Sequence, residues 1–89
     1  MKGSFVWIFN GANASFPAGV FPTREEARAW IRENRLTGTL TQYPLGVGVY
    51  DWAVEQGFFK PKRSEQTLPR FIQGFTSQAQ AHEHFEGGE

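Results

Sequence analysis

The 89-residue sequence has no cysteine, a single aspartate and no apolar run longer than the five residues Phe5 to Phe9. Without cysteine, disulfide stapling and thiolate-ligated zinc are excluded, and a reducing compartment fits. A five-residue apolar run is too short for a signal peptide and far short of the about 20 residues that span a membrane, so a cytoplasmic protein with no membrane partner is expected. Net charge is also missing: nine basic residues balance nine acidic ones. No overall field therefore draws the chain to nucleic acid or an anionic membrane, and any such attraction has to come from a local patch. Repeats and low-complexity runs are absent apart from the terminal Gly-Gly-Glu. One domain is expected over residues 1–86, with 87–89 a frayed tail.

Aromatic side chains are what the sequence has in quantity. Fourteen Phe, Trp and Tyr accompany only thirteen Ile, Leu, Val and Met. Folding at this size buries only about 60 to 65% of the surface of the unfolded chain. Each ring contributes about 150 to 250 Å², so most of the rings belong to the core and few remain for a contact surface. The segment Gly48 to Phe59, GVYDWAVEQGFF, concentrates the question. Trp52 reads as core, with Tyr50 and Phe59 as the rings expected to be exposed.

Patterning indicates an α+β fold with a small, mainly antiparallel sheet. SFVWIF sets Phe5, Trp7 and Phe9 on one face of a strand and Val6 and Ile8 on the other, as in a central strand covered on both sides. Asn10-Gly11 is suited to positive φ, and FPAGVF reads as the returning strand of a hairpin, with Pro17 at an edge. PTREEARAWIREN follows, with Thr23 as N-cap, Glu26 completing a capping box, and Ala27, Trp30 and Ile31 at helical spacing. Gly38 can end this helix. TGTLTQYP is a strand stopped by Pro44, so the chain opens strand, strand, helix, strand. VYDWAVEQ predicts a short helix ended by Gly57, and TLPRFIQGF another with Pro69 in its first turn. AQAHEHFE is read as a last strand. The expected architecture is the sheet packed against one capped helix and one or two further short helices.

FPAGVF, LTGTLTQYP, GVYDWAVEQGFF and the ending HEHFEGG together resemble a family of short bacterial proteins of unknown function, marked by GVF, LTG-x-LT-x-YP and GVYDWA blocks. The resemblance covers nearly the whole chain and implies a bacterial single-domain protein. It supplies no activity, cofactor or catalytic residue. The first half is also similar to the small hybrid-binding domain of some ribonucleases H, which shares the strand hairpin, the GVF turn and the capped helix.

Four groupings could carry chemistry. On a strand, His82, His84 and Glu86 share a face and could reach one zinc or nickel ion; on a helix, His82 and Glu86 would be a weak surface pair. Arg24, Arg28, Arg32 and Arg35 line one face of the capped helix. Like charges at that spacing repel, which invites a phosphate or an acidic partner, with Lys60, Lys62 and Arg63 as an extension. The alternative is a solvated face softened by Glu25. Gly46 and Gly48 begin a dinucleotide fingerprint, but Asp51 replaces its third glycine, and the motif is rejected. Asp51 is read as polarising the first turn of its helix. Ser4, Ser15, Ser64 and Ser77 lack a nucleophile elbow, and a Ser77, His82, Asp51 triad has no support from spacing.

The expected function is a non-catalytic interaction or regulatory module. It would contact another protein through rings such as Tyr43, Tyr50 or Phe59 beside the arginine face, and needs no cofactor. The second expectation is nucleic-acid binding through the same arginines, with an aromatic ring stacking on bases. The third is a metal-dependent enzyme using His82 and His84.

Overall fold

The computed structural model describes residues 4–89. An unbroken apolar run at its start suits β1 (Phe5–Gly11) to the inside of the sheet, where it is flanked by β2 (Pro17–Phe21) and β3 (Gly38–Pro44). β4 (His82–Phe85) closes the far edge in the order β2-β1-β3-β4, every neighbouring pair antiparallel. This is the expected α+β fold. Pro17 begins an edge strand and pairs with Asn10 where the register shifts after Phe9, an edge position that accepts proline. The hairpin turns at Asn13, whose φ is 65°, rather than at Asn10-Gly11, which lie in β1.

α1 (Arg24–Glu33) carries the chain from β2 across β1 to β3. Thr23 caps it: its Oγ1 accepts the Glu26 N–H at 3.2 Å and donates to Glu26 Oε2 at 3.0 Å. Ala27 and Ile31 are fully buried against Trp7, Phe9, Leu40 and Phe85, with Phe21, Trp30 and Leu36 packed around them. Register explains the grouping. Phe9 pairs with Leu40 and Gly11 with Gly38, which in turn pairs with Phe85, so these residues share one face of the sheet.

β1 was expected to be covered on both faces, and the two faces differ. Trp7 and Phe9 are buried under α1, whereas Val6 and Ile8 on the opposite face are half-buried, and Val20 across from Ile8 is 62% exposed. A single long helix packs on one face of a sheet, and here that face is the one bearing the rings.

Helix α1 stops earlier than expected. Gly38 lies in β3, and the helix ends at Asn34 with Arg35 in the left-handed conformation, φ 54°. Leu36 N–H reaches Ile31 O at 3.0 Å and Arg35 N–H reaches Arg32 O at 3.1 Å. These two bonds are a Schellman closure with arginine where glycine is usual. The tail expected to fray is attached at this point: Gly87 N–H donates to Thr37 Oγ1 at 3.0 Å and Gly88 N–H to Leu36 O at 2.8 Å. Gly88 is buried, with φ 90°.

The remaining elements extend beyond the sheet. α2 (Val49–Glu55) and α3 (Pro69–Gln73), with a 3₁₀ turn over Ser64–Thr67 between them, hold a second cluster of rings. Pro69 occupies the first turn of α3 as expected. Tyr50, Phe59, Phe71 and Phe75 are mutually in contact, with centroid separations from 4.9 to 6.2 Å. Tyr50 Oη donates to Gln66 O at 2.9 Å, so the ring's polar tip is satisfied. Gln80 is buried and ties the last loop to β3 by donating from Nε2 to Gln42 O at 3.0 Å.

Candidate functional site

A groove of about 1040 Å³ opens where the sheet ends and α2 begins. Pro44 ends β3, Leu45 N–H bonds Ser4 O at 2.9 Å, and Gly46 turns the chain with φ 84°. Gly48 then caps α2, whose first turn holds Asp51, where a carboxylate suits the positive helix end. On the far side Gly57, φ 81°, ends α2, and the N–H groups of both Phe58 and Phe59 reach Ala53 O, at 2.8 and 3.2 Å. That turn sends two consecutive rings apart. Phe59 goes inward to Tyr50, and Phe58 stays 56% exposed on the groove wall beside Trp52, at 5.4 Å between centroids.

The walls are apolar: Phe5, Leu45, Val47, Trp52, Val54 and Phe58 line them, and Trp52 meets Phe5 edge-on at 6.4 Å. The formally charged residues among the described lining are Asp51 and Glu55. Leu45 and Val54 are 48% and 38% exposed, large values for side chains of this type.

The rings expected at the surface are therefore exchanged. Tyr50 and Phe59 are half-buried in the four-ring cluster, because Phe71 and Phe75 come back from α3 to cover them. The exposed ring of the segment is Phe58, and Trp52, expected as core, is half-buried between Phe5 and Phe58. Phe16, 78% exposed beside the β1–β2 turn, was also not foreseen.

The arginines divide. Arg28 grips Glu83 of β4 through Nε to Oε1 at 2.9 Å and Nη2 to Oε2 at 2.6 Å, and Arg24 Nη1 adds a bond to Oε2 at 3.3 Å. Arg24 also lies over the Trp7 ring, 5.1 Å from its centroid. The hydrogen bonds from Arg28, helped by the charges of both arginines, hold the Glu83 carboxyl below its ordinary range. The same bond pushes the Arg28 guanidinium up. Arg32 sits exposed in the last turn of α1, and Arg35 lies outside the helix, so the stripe expected along one helix has three members. Arg63 pairs with Glu65 at 3.2 Å, and Lys60 and Lys62 are exposed. Glu83 was missed as a partner, although on a strand it shares a face with Phe85 and so points toward the helix.

His82 and His84 do share a face of β4, their rings 5.4 Å apart. Their Nδ1 atoms face Gln80 O at 2.9 Å and Thr39 Oγ1 at 3.3 Å. Glu86 lies beyond the end of β4, where the strand alternation no longer holds it beside them. Among the described residues no group of three or more His, Cys, Asp or Glu is placed to hold a metal ion. The triad written from Ser77, His82 and Asp51 is not assembled: Ser77 Oγ accepts from Ala79 N–H, His82 faces Gln80 O, and Asp51 lies on the groove. Among the described residues no helix is long and apolar enough to cross a membrane.

No curated protein and no solved structure matches the chain. A family model does match, over residues 6–89, and the chain accordingly belongs to that family, the domain of unknown function DUF7710.

Proposed function

We propose that this domain is a non-catalytic protein-interaction or regulatory module whose contact surface is the groove between the sheet end and α2. One observation carries the reading. Leu45, Val54 and Phe58, three of the seven exposed large apolar side chains among the described residues, gather on this one groove. Scattered apolar residues are ordinary on a soluble surface, whereas a contiguous patch rimmed by polar groups marks a contact site. A bacterial, cytoplasmic setting, drawn from the resemblance and the cysteine-free sequence, is part of the same proposal.

A protein partner is favoured over nucleic acid because Arg24 and Arg28, half of the arginine set, are engaged with Glu83. The test is a photo-crosslinking amino acid placed at Phe58 in cells that express the protein, with Phe16, a still more exposed ring outside the groove, as control. The proposal expects discrete protein adducts from position 58 that position 16 does not give. Identical adduct patterns from both positions would overturn it.

A further inference from the structure

His82 and His84 have no part in the core or in the groove. Alternation along β4 sends Glu83 to Arg28 and Phe85 into the core under α1, so the two histidines project from the opposite face of the sheet. Both are exposed, and their cross-strand neighbours are Thr41 and Thr39. None of the four strands contains a lysine or an arginine. A cation approaching the pair therefore meets no repelling charge from the sheet.

The way the rings are held is a second, independent observation. A carbonyl oxygen can only accept, so at 2.9 Å from Gln80 O the His82 Nδ1 is the donor, and its Nε2 keeps the lone pair. His84 Nδ1 stands 3.3 Å from Thr39 Oγ1, a hydroxyl able to accept the same bond. Fixing an imidazole by its Nδ1 N–H leaves Nε2 as a metal ligand, which is how ligating histidines are commonly oriented. The ring centroids lie 5.4 Å apart with their planes at 84°. Two imidazoles sharing one tetrahedral ion, each nitrogen about 2.1 Å from it, place their centroids about 5 Å apart. The pair is spaced for a shared ion.

We propose that His82 and His84 form a two-histidine site for a divalent transition ion such as zinc, bound through both Nε2 atoms on the face of the sheet opposite α1. The chain supplies two ligands, since among the described residues no group of three is placed to do so, and water takes the remaining positions. Imidazole selects zinc, nickel or copper, whereas magnesium and calcium take oxygen ligands. The site is separate from the groove and stands or falls without it.

Zinc chloride titrated into the tag-free chain, followed by calorimetry and by the ring nitrogens in long-range proton–nitrogen NMR spectra, tests the site. The expected result is one zinc per chain, with the Nε2 resonances of His82 and His84 shifting together along one saturation curve and no shift with magnesium. His82→Asn and His84→Asn should each weaken zinc binding at least about tenfold. Both side chains are exposed, so the variants keep the core, and the ring resonances of the wild type answer the question without any substitution. Zinc shifts confined to one histidine, or full zinc affinity retained by either variant, would overturn the proposal.

Discussion

Arg28 and Glu83 face each other through two parallel hydrogen bonds, joining α1 to the edge strand β4 across 55 residues of sequence. The pair does structural work that composition alone assigns to a binding face. β4 is only four residues long, and its pairing with β3 ends at Phe85. The ion pair fastens that short strand from above, while Arg24 covers the Trp7 ring and takes the second lone pair of Oε2.

Acid should reveal the pair. The folded-state pKa of Glu83 is depressed, so its contribution is present above the unfolded value, near about 4.3, and is lost as pH falls through the lower folded value. Glu83→Gln should therefore lower the urea midpoint at pH 7 and lose that deficit as pH drops below about 4. Equal deficits at pH 7 and at low pH would show that the ionic part of the contact contributes nothing.

Gly38 is required by close approach. A Cβ there would collide with Asn10 O, and would sit 2.7 Å from Phe9 Cζ and 2.8 Å from Gly11 Cα. Since β1 and β3 are the paired centre of the sheet, neither backbone can move without breaking the ladder. Gly38→Ala should cost about 2 to 3 kcal/mol by chemical denaturation, and a cost under about 0.5 kcal/mol, the ordinary surface range, would contradict the register.

The helix end and the tail make a linked pair of expectations. Arg35→Gly relieves a left-handed arginine and should stabilise by about 0.5 to 1 kcal/mol. Gly88→Ala should do the opposite, by about 1 to 2 kcal/mol. Its backbone has positive φ, and an added Cβ would lie 3.1 Å from Arg35 Cα and 3.3 Å from Arg32 Cα. A neutral result for Gly88→Ala would mean the last residues are not docked.

Much of this was legible in local pattern. Thr23 and Glu26 announce the start of α1, the unbroken apolar run Phe5–Phe9 identifies the central strand, and Pro17 and Pro69 mark a strand edge and a helix start. What failed depends on contacts that local pattern does not contain. The end of α1 was sought at a glycine, because arginine rarely adopts the conformation that Arg35 takes. The last residues looked frayed because their partners, Leu36 and Thr37, lie some fifty residues earlier. Phe59, expected outside, turns inward and Phe58, not singled out, stays exposed, a choice made at the left-handed turn of Gly57. The groove itself was invisible for the same reason: its walls come from β1, the residues after β3, and α2.

The four-ring cluster separates packing from hydrogen bonding. Tyr50→Phe removes the bond to Gln66 O and should cost about 1 kcal/mol. Phe75→Ala opens a gap beside three rings and should cost about 2 kcal/mol, less than the full core value because Phe75 is half-buried. The reverse ranking in thermal or urea unfolding would show that the polar tip, not the ring contacts, organises the helical end.

Isothermal titration of the partner captured from position 58, against wild-type protein and Leu45→Glu, tests the groove most directly. A carboxylate placed on an exposed apolar wall should weaken binding at least about tenfold, since it must be desolvated on contact, while unfolding of the free protein is unchanged. Equal affinity for the two proteins would contradict the groove as the contact surface.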